Sequence, residues 1–241
     1  GWPNDFHHIS NQLNQHDADL AWQAGMAAVD MVAARVRNHD IQCDLQFGYL
    51  HAALHQRHMN ELLAMQDEWS QRGYDKFTAL ADTPSLAPHI NSKAYIGGLY
   101  DTGSGQIQPL KYLLGLARAA TAAGAKIFEH SRVTKIDRGK QKTLHFDKAP
   151  SLTAARVLLC GNAYLAHIGL PEMTRRLAQV TSSVLATAPL SDNMIQHILP
   201  SRATVADCNT ALNYFRIDAD NRMIFGGRAS YTNVNLGNVE A

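Results

Sequence analysis

Apolar residues early in the chain recur at spacings of four and three, at Leu20, Ala24, Ala27, Met31 and Ala34. That is the pattern of one buried helical face. Asp17 is a suitable cap, so a helix is predicted over about 17–39. In LQFGYLHAAL, residues 45–54, Phe47, Tyr49 and Leu50 favour a strand and Gly48 interrupts any helix. An amphipathic helix is expected next, near 56–72, ending at Gly73. Pro84 and Pro88 break the chain into short turns.

Residues 94–109, AYIGGLYDTGSGQIQP, hold four glycines and lead into Leu110, Leu113, Leu114, Ala117 and Ala120 at helical spacing. The order strand, turn, helix is predicted, with Pro109 in the first turn of the helix and Gly124 at its exit. Strand candidates then follow closely: AKIFEHS, RVTKIDRG, KTLHFD and AARVLLCG. The last is a continuous apolar run of the kind buried on both faces of a sheet. TSSVLATAPL, ALNYFRID and RMIFGGRA are further strand candidates, and DADNR supplies a turn between the last two.

The 241 residues are 46% hydrophobic and 18% charged, which fits a folded globular chain. A formal net charge of +1, without a basic run, argues against nucleic acid as a partner. No apolar stretch approaches the ~20 residues that span a bilayer, and no signal peptide opens the chain, so a cytoplasmic, membrane-free protein is expected. Cys43, Cys160 and Cys208 are odd in number and widely spaced; reduced, mostly buried thiols are expected.

Candidate chemistry is sparse. His51, His55 and His58 would converge on one helix, but Gly48 and its aromatic neighbours place His51 in a strand, and no HExxH motif is present. No bound metal is expected. TGSGQIQP is neither GxGxxG nor a P-loop and reads as a tight turn, while Ser104 lacks the GxSxG context of a nucleophile.

Taken in order, YIGGLYDTGSGQIQPLKYLLGLARAATAAGAKIFEHSRVTKI, VLLCGNAYL, SSVLATAPL and NYFRIDADNRMIFGGRA resemble the FAD-dependent amine oxidases of the D-amino-acid-oxidase-like family. CDLQFGYLHAAL and RHMNELLAMQDEWSQRGY resemble the branch that oxidises gamma-glutamylputrescine. The resemblance implies an α+β fragment of a two-domain flavoprotein. It places a helical segment at 1–39, parts of a substrate domain at 40–104 and 176–241, and part of an FAD-binding domain at 105–175. The family's opening GxGxxG unit and its C-terminal glycine-rich segment have no counterpart here, which implies an interior piece that does not hold FAD by itself.

The same resemblance assigns Val133 to a backbone contact with the adenine end of FAD. It assigns Gly161, Asn162 and Ala163 to the turn near the cofactor's ribose and diphosphate. Tyr214 and Arg216 fall on the strand that faces the flavin, two residues apart and so on one face, where they could contact substrate. A solvent-facing pair is the alternative. The implied reaction converts a small-molecule amine and dioxygen into an aldehyde, ammonia and hydrogen peroxide. Two alternatives stay open: oxidation of glycine, sarcosine or a D-amino acid, with Arg216 or Arg228 clamping the carboxylate, and a non-catalytic binding module.

Overall fold

The computed structural model describes residues 6–168, 175–177 and 180–230. In chain order the helices are α1 Phe6–Ser10, α2 Gln15–Asn38, α3 Gln56–Gln71, α4 Thr83–Leu86, α5 Pro109–Ala122 and α6 Asp192–Ile198. The strands are β1 Gln46–Ala53, β2 Phe77–Leu80, β3 Gly97–Gln106, β4 Val133–Asp137, β5 Lys142–Phe146, β6 Leu152–Ala154, β7 Thr181–Ala186, β8 Thr204–Asp207, β9 Tyr214–Ile217 and β10 Met223–Ser230. A 3-10 turn spans Asn162–His167. The class is α+β, as expected.

The chain divides into two compact units, 1–124 with 184–228, and 125–183 with 229–241. The first is built on a seven-stranded sheet of order β2-β3-β1-β8-β9-β10-β7. It is mixed: β1 is antiparallel to β3 and parallel to β8, so the two distant stretches of chain meet at the centre of the sheet. Helix α5 packs with this unit, whose first stretch of chain runs to Gly124. The reason is local: a Cβ on Gly115 of α5 would collide with Ile41, so glycine is needed for the helix to approach that closely.

One face of this sheet, called the back, carries the core. Leu50, Val205, Phe215 and Ile217 pack there with Leu86 of α4, Ile195 of α6 and Leu199, which caps α6. Phe215 and Phe225 stack at 5.7 Å. On the front, Ala53, Phe77 and Leu99 are covered by Met59 and Leu62 of α3. An aromatic ladder, Phe6–Trp22–Trp69, with centroids 5.1 Å apart at each step, ties α1 and α2 to α3. Arg72 lies over the Phe6 ring at 4.4 Å.

The second unit has a three-stranded sheet of order β4-β5-β6. Asp137 bonds both Lys135 and His145 at 2.6 Å, and these two contacts, Lys135 first, lower its pKa.

Several expectations change. Helix α2 starts one turn earlier than Asp17, capped by the Asn14 side chain. Its buried residues are Ala18, Gly25 and Ala33, whereas Leu20 and Met31 are each 49% exposed. Small residues permit close approach, and they decided the face over the bulkier stripe. TGSG is not a tight turn: β3 continues through it, with an irregularity in its register against β1 between Asp101 and Gly105. AKIFEHS forms no strand, and beyond Ala154 neither does AARVLLCG, whose Leu158 is 87% exposed. Cys43 is buried, but Cys160 is exposed.

Candidate functional site

Alternation along β9 sends Phe215 and Ile217 into the back core, so Tyr214 and Arg216 stand on the front, both half-buried. Their neighbours follow from register. Ala206 of β8 pairs with Tyr214 on one side and with His51 on the other, and Gly226 pairs with Tyr214 from β10. One row across the front therefore reads Leu99, His51, Ala206, Tyr214, Gly226. Tyr49, paired with both Asp101 and Thr204, begins the next row. Tyr214 and His51 are two strands apart, about 10 Å.

Gly226 is required where it stands, because a Cβ there would run into the Tyr214 ring. The ring thus lies over the glycine. Arg216 donates from Nη1 to Gln106 Oε1 at 2.9 Å. Gln106, 9% exposed, donates from Nε2 to Gln46 Oε1 at 3.2 Å and to the Arg202 carbonyl at 3.3 Å. Side chains from β3 and β1 therefore hold the guanidinium in place.

Beside this strand the front is more polar than the sequence suggested. Tyr49 and His51 have ring centroids 4.7 Å apart. Burial lowers the pKa of His51, against an opposing pull from Asp101, and raises that of Tyr49. The Asp101 carboxylate, 1% exposed, accepts from Tyr74 Oη at 2.6 Å and from the Gly103 N–H at 2.8 Å. Burial and then this bond push the Tyr74 pKa well up, so the phenol remains a donor. Burial, followed by Asp207 and Glu61, pushes the Cys208 thiol up to about 11, which makes it a poor nucleophile. Tyr49, Asp101 and Gln106 escaped the sequence reading, which weighed His51 only as a metal ligand. Their signal was the alternation of QFGYLHAA, where Tyr49 and His51 fall opposite the apolar Leu50 and Ala52.

The histidine triplet is split as anticipated. His51 lies in β1, His55 caps α3 by accepting from the His58 N–H, and His58 accepts from the Leu54 N–H at 3.4 Å. Among the described residues no cluster of three or more His, Cys, Asp or Glu is arranged to hold a metal ion.

The residues assigned to FAD lie in the smaller unit. Val133 opens β4, half-buried and paired with Phe146. Gly161 caps the 3-10 turn, Asn162 follows with φ 46°, and Ala163 continues it, its side chain outside the described residues. The described cavity of this unit, about 290 Å³, is lined by Ile136, Arg138, Val157 and Leu159 among others and touches none of them. These residues supply backbone groups at a strand start and a turn, but no glycine-rich cradle at a helix N-terminus. Taken alone they do not fit a whole dinucleotide. Arg228 lies on β10, and its side chain is outside the described residues.

Comparison with known proteins gives this arrangement a family. Residues 6–241 match the family described as FAD dependent oxidoreductase (DAO). The chain belongs to that family. It is 34% identical over 227 residues to the probable oxidoreductase OrdL of Haemophilus influenzae, covering 91% of this chain and 52% of that protein. It is 31% identical over 202 residues to the gamma-glutamylputrescine oxidoreductase of Escherichia coli, covering 84% of this chain and 47% of that one. The chain thus spans about half the length of the curated relatives it matches. Glycine oxidase from Bacillus cereus superposes with a TM-score of 0.70 at 16% identity, over 91% of this chain and 60% of its own, a likeness of fold. Among the described residues no helix is long and apolar enough to cross a membrane.

Proposed function

We propose that this chain carries the substrate-facing sheet of a longer FAD-dependent amine oxidase acting on a gamma-glutamylputrescine-like amine. The observation that carries the reading is the shared front-face position of Tyr214 and Arg216, one ring seated on Gly226 and one guanidinium held by Gln106. The Escherichia coli relative supports the choice of amine. Residues 40–104 and 176–241 would form the substrate domain, and 105–175 part of the FAD-binding domain. Val133, Gly161, Asn162 and Ala163 would border the cofactor.

In this reaction the amine carbon loses a hydride and its nitrogen a proton; water then splits the imine into aldehyde and ammonia, and dioxygen leaves as hydrogen peroxide. FAD is the hydride acceptor that the family uses. The chain's own residues orient the substrate: Tyr214 offers a flat ring and a hydroxyl, and Arg216 a fixed cation. Arg216 commits one of its five N–H donors to Gln106, leaving others for a carboxylate. That keeps oxidation of a small amino acid as a second reading.

The test is steady-state peroxide release by the full-length protein and its Arg216→Ala variant on gamma-glutamylputrescine. Loss of a charge-assisted contact predicts kcat/KM lower by roughly ten- to a hundred-fold with flavin content intact. Unchanged kcat/KM would return Tyr214 and Arg216 to a solvent-facing role. Turnover of glycine or sarcosine in place of gamma-glutamylputrescine would select the second reading.

A further inference from the structure

A cavity of about 580 Å³ opens between α2 and the front of β1 and β3. Val29 and Val32 of α2, with Phe47, give it an apolar wall; Tyr49, Trp69 and Asp101 contribute rings and a carboxylate. We propose that this cavity binds an aliphatic ammonium ion, with Asp101 as its counter-ion and the apolar wall against its alkyl chain.

A carboxylate as buried as Asp101 is costly unless its charge is met. Both of its protein donors, Tyr74 Oη and the Gly103 N–H, bond the same oxygen, Oδ1. Among the described residues no lysine or arginine forms an ion pair with it. His51 is the other ionisable group of the wall at neutral pH, and burial keeps it uncharged there. The cavity therefore presents a buried carboxylate without a cationic partner among the described residues, with aromatic faces that also favour a cation. The glycines of β3 serve this arrangement, since a Cβ on Gly103 would strike Tyr74 Oη and displace the phenol from Asp101. Gln106 borders the cavity and also holds Arg216, so the ammonium site shares a wall with the strand that carries Tyr214.

The site is argued from the sheet unit alone, and binding is read without turnover, so it stands or falls separately from the oxidase reading. Calorimetric titration of the full chain with n-hexylammonium, using 1-hexanol as the uncharged control, tests it. Saturable binding of the ammonium at least tenfold tighter than the alcohol is expected, with that preference lost in Asp101→Asn. Val32→Phe, which fills the cavity and leaves the carboxylate alone, is expected to weaken ammonium binding at least tenfold, and it decides the matter if Asp101→Asn does not fold. No binding by the unaltered chain, equal binding of ammonium and alcohol, or unchanged binding by Val32→Phe or a folded Asp101→Asn would overturn the proposal.

Discussion

The two units bury their apolar residues very differently. Every fully buried apolar residue among those described lies in the sheet unit, where Leu50, Leu99, Ile195, Leu199 and Val205 are 0% exposed. In the smaller unit, Leu158 is 87% exposed, Phe128 73% and Ile127 53%. Both contain β-structure, but among the described residues only the first unit shows helices packed on its sheet to remove that surface from water. Local sequence writes a strand, whereas burial needs a second layer. The described residues of the smaller unit include apolar side chains of the kind that fill a core, but among them no second layer covers these side chains.

The sharpest way to break this contrast is a pair of truncations. Leu199→Ala in the sheet unit is expected to cost about 2–5 kcal/mol, read from urea unfolding, through lost burial and a cavity. Leu158→Ala is expected to stay within about 0.5 kcal/mol, as for a surface site. Comparable losses at the two positions would contradict the contrast.

A smaller effect is expected at the β8–β9 connection. Asp207, 6% exposed, accepts from the backbone and side-chain nitrogens of both Asn209 and Asn213. Asp207→Ala leaves those donors without their acceptor and is expected to cost about 3 kcal/mol. A midpoint of denaturation that does not move would show the knot to be dispensable.

Gly226→Ala probes the site more than the fold. The added methyl must push the Tyr214 ring aside, at about 1–3 kcal/mol of overpacking. In the full-length protein it should mimic Tyr214→Ala in KM, and unaltered kinetics would detach the ring from substrate.

The smallest effect is one of pH. Burial holds the pKa of His51 below its ordinary 6.5. The unfolded chain therefore takes up the proton more readily, so the stability His51 contributes is complete above about pH 6.5 and is lost as the pH falls below it. His51→Gln should flatten the decline in urea midpoint between pH 7.5 and 5.5. An identical decline in both proteins would place the titration elsewhere, His89 being the next group that burial shifts downward.

The elements themselves were largely legible. Helices α2, α3 and α5 and strands β1, β4, β5, β9 and β10 lie where periodicity and glycine stops put them, because those signals are local. Environment was harder to read. The Leu110, Leu113 and Leu114 stripe of α5 is 50–60% exposed, since a pattern states which face wants cover and not what covers it. TGSG was misread because close approach and turning both call for glycine; in β3 the need is space for Tyr74 and for the neighbouring strand. Tyr214 and Arg216 came from resemblance, while Asp101, Gln106 and His51 required register, which pairs residues far apart in sequence.

If this chain supplies the proposed substrate-facing sheet and only the border of a cofactor site, it should not hold FAD by itself. Gel filtration after incubation with excess FAD, followed by an absorbance spectrum, tests it most directly. A colourless chain is expected, beside a yellow full-length protein whose flavin band bleaches when gamma-glutamylputrescine is added without oxygen. A stoichiometric flavin peak co-eluting with the 241-residue chain would contradict it.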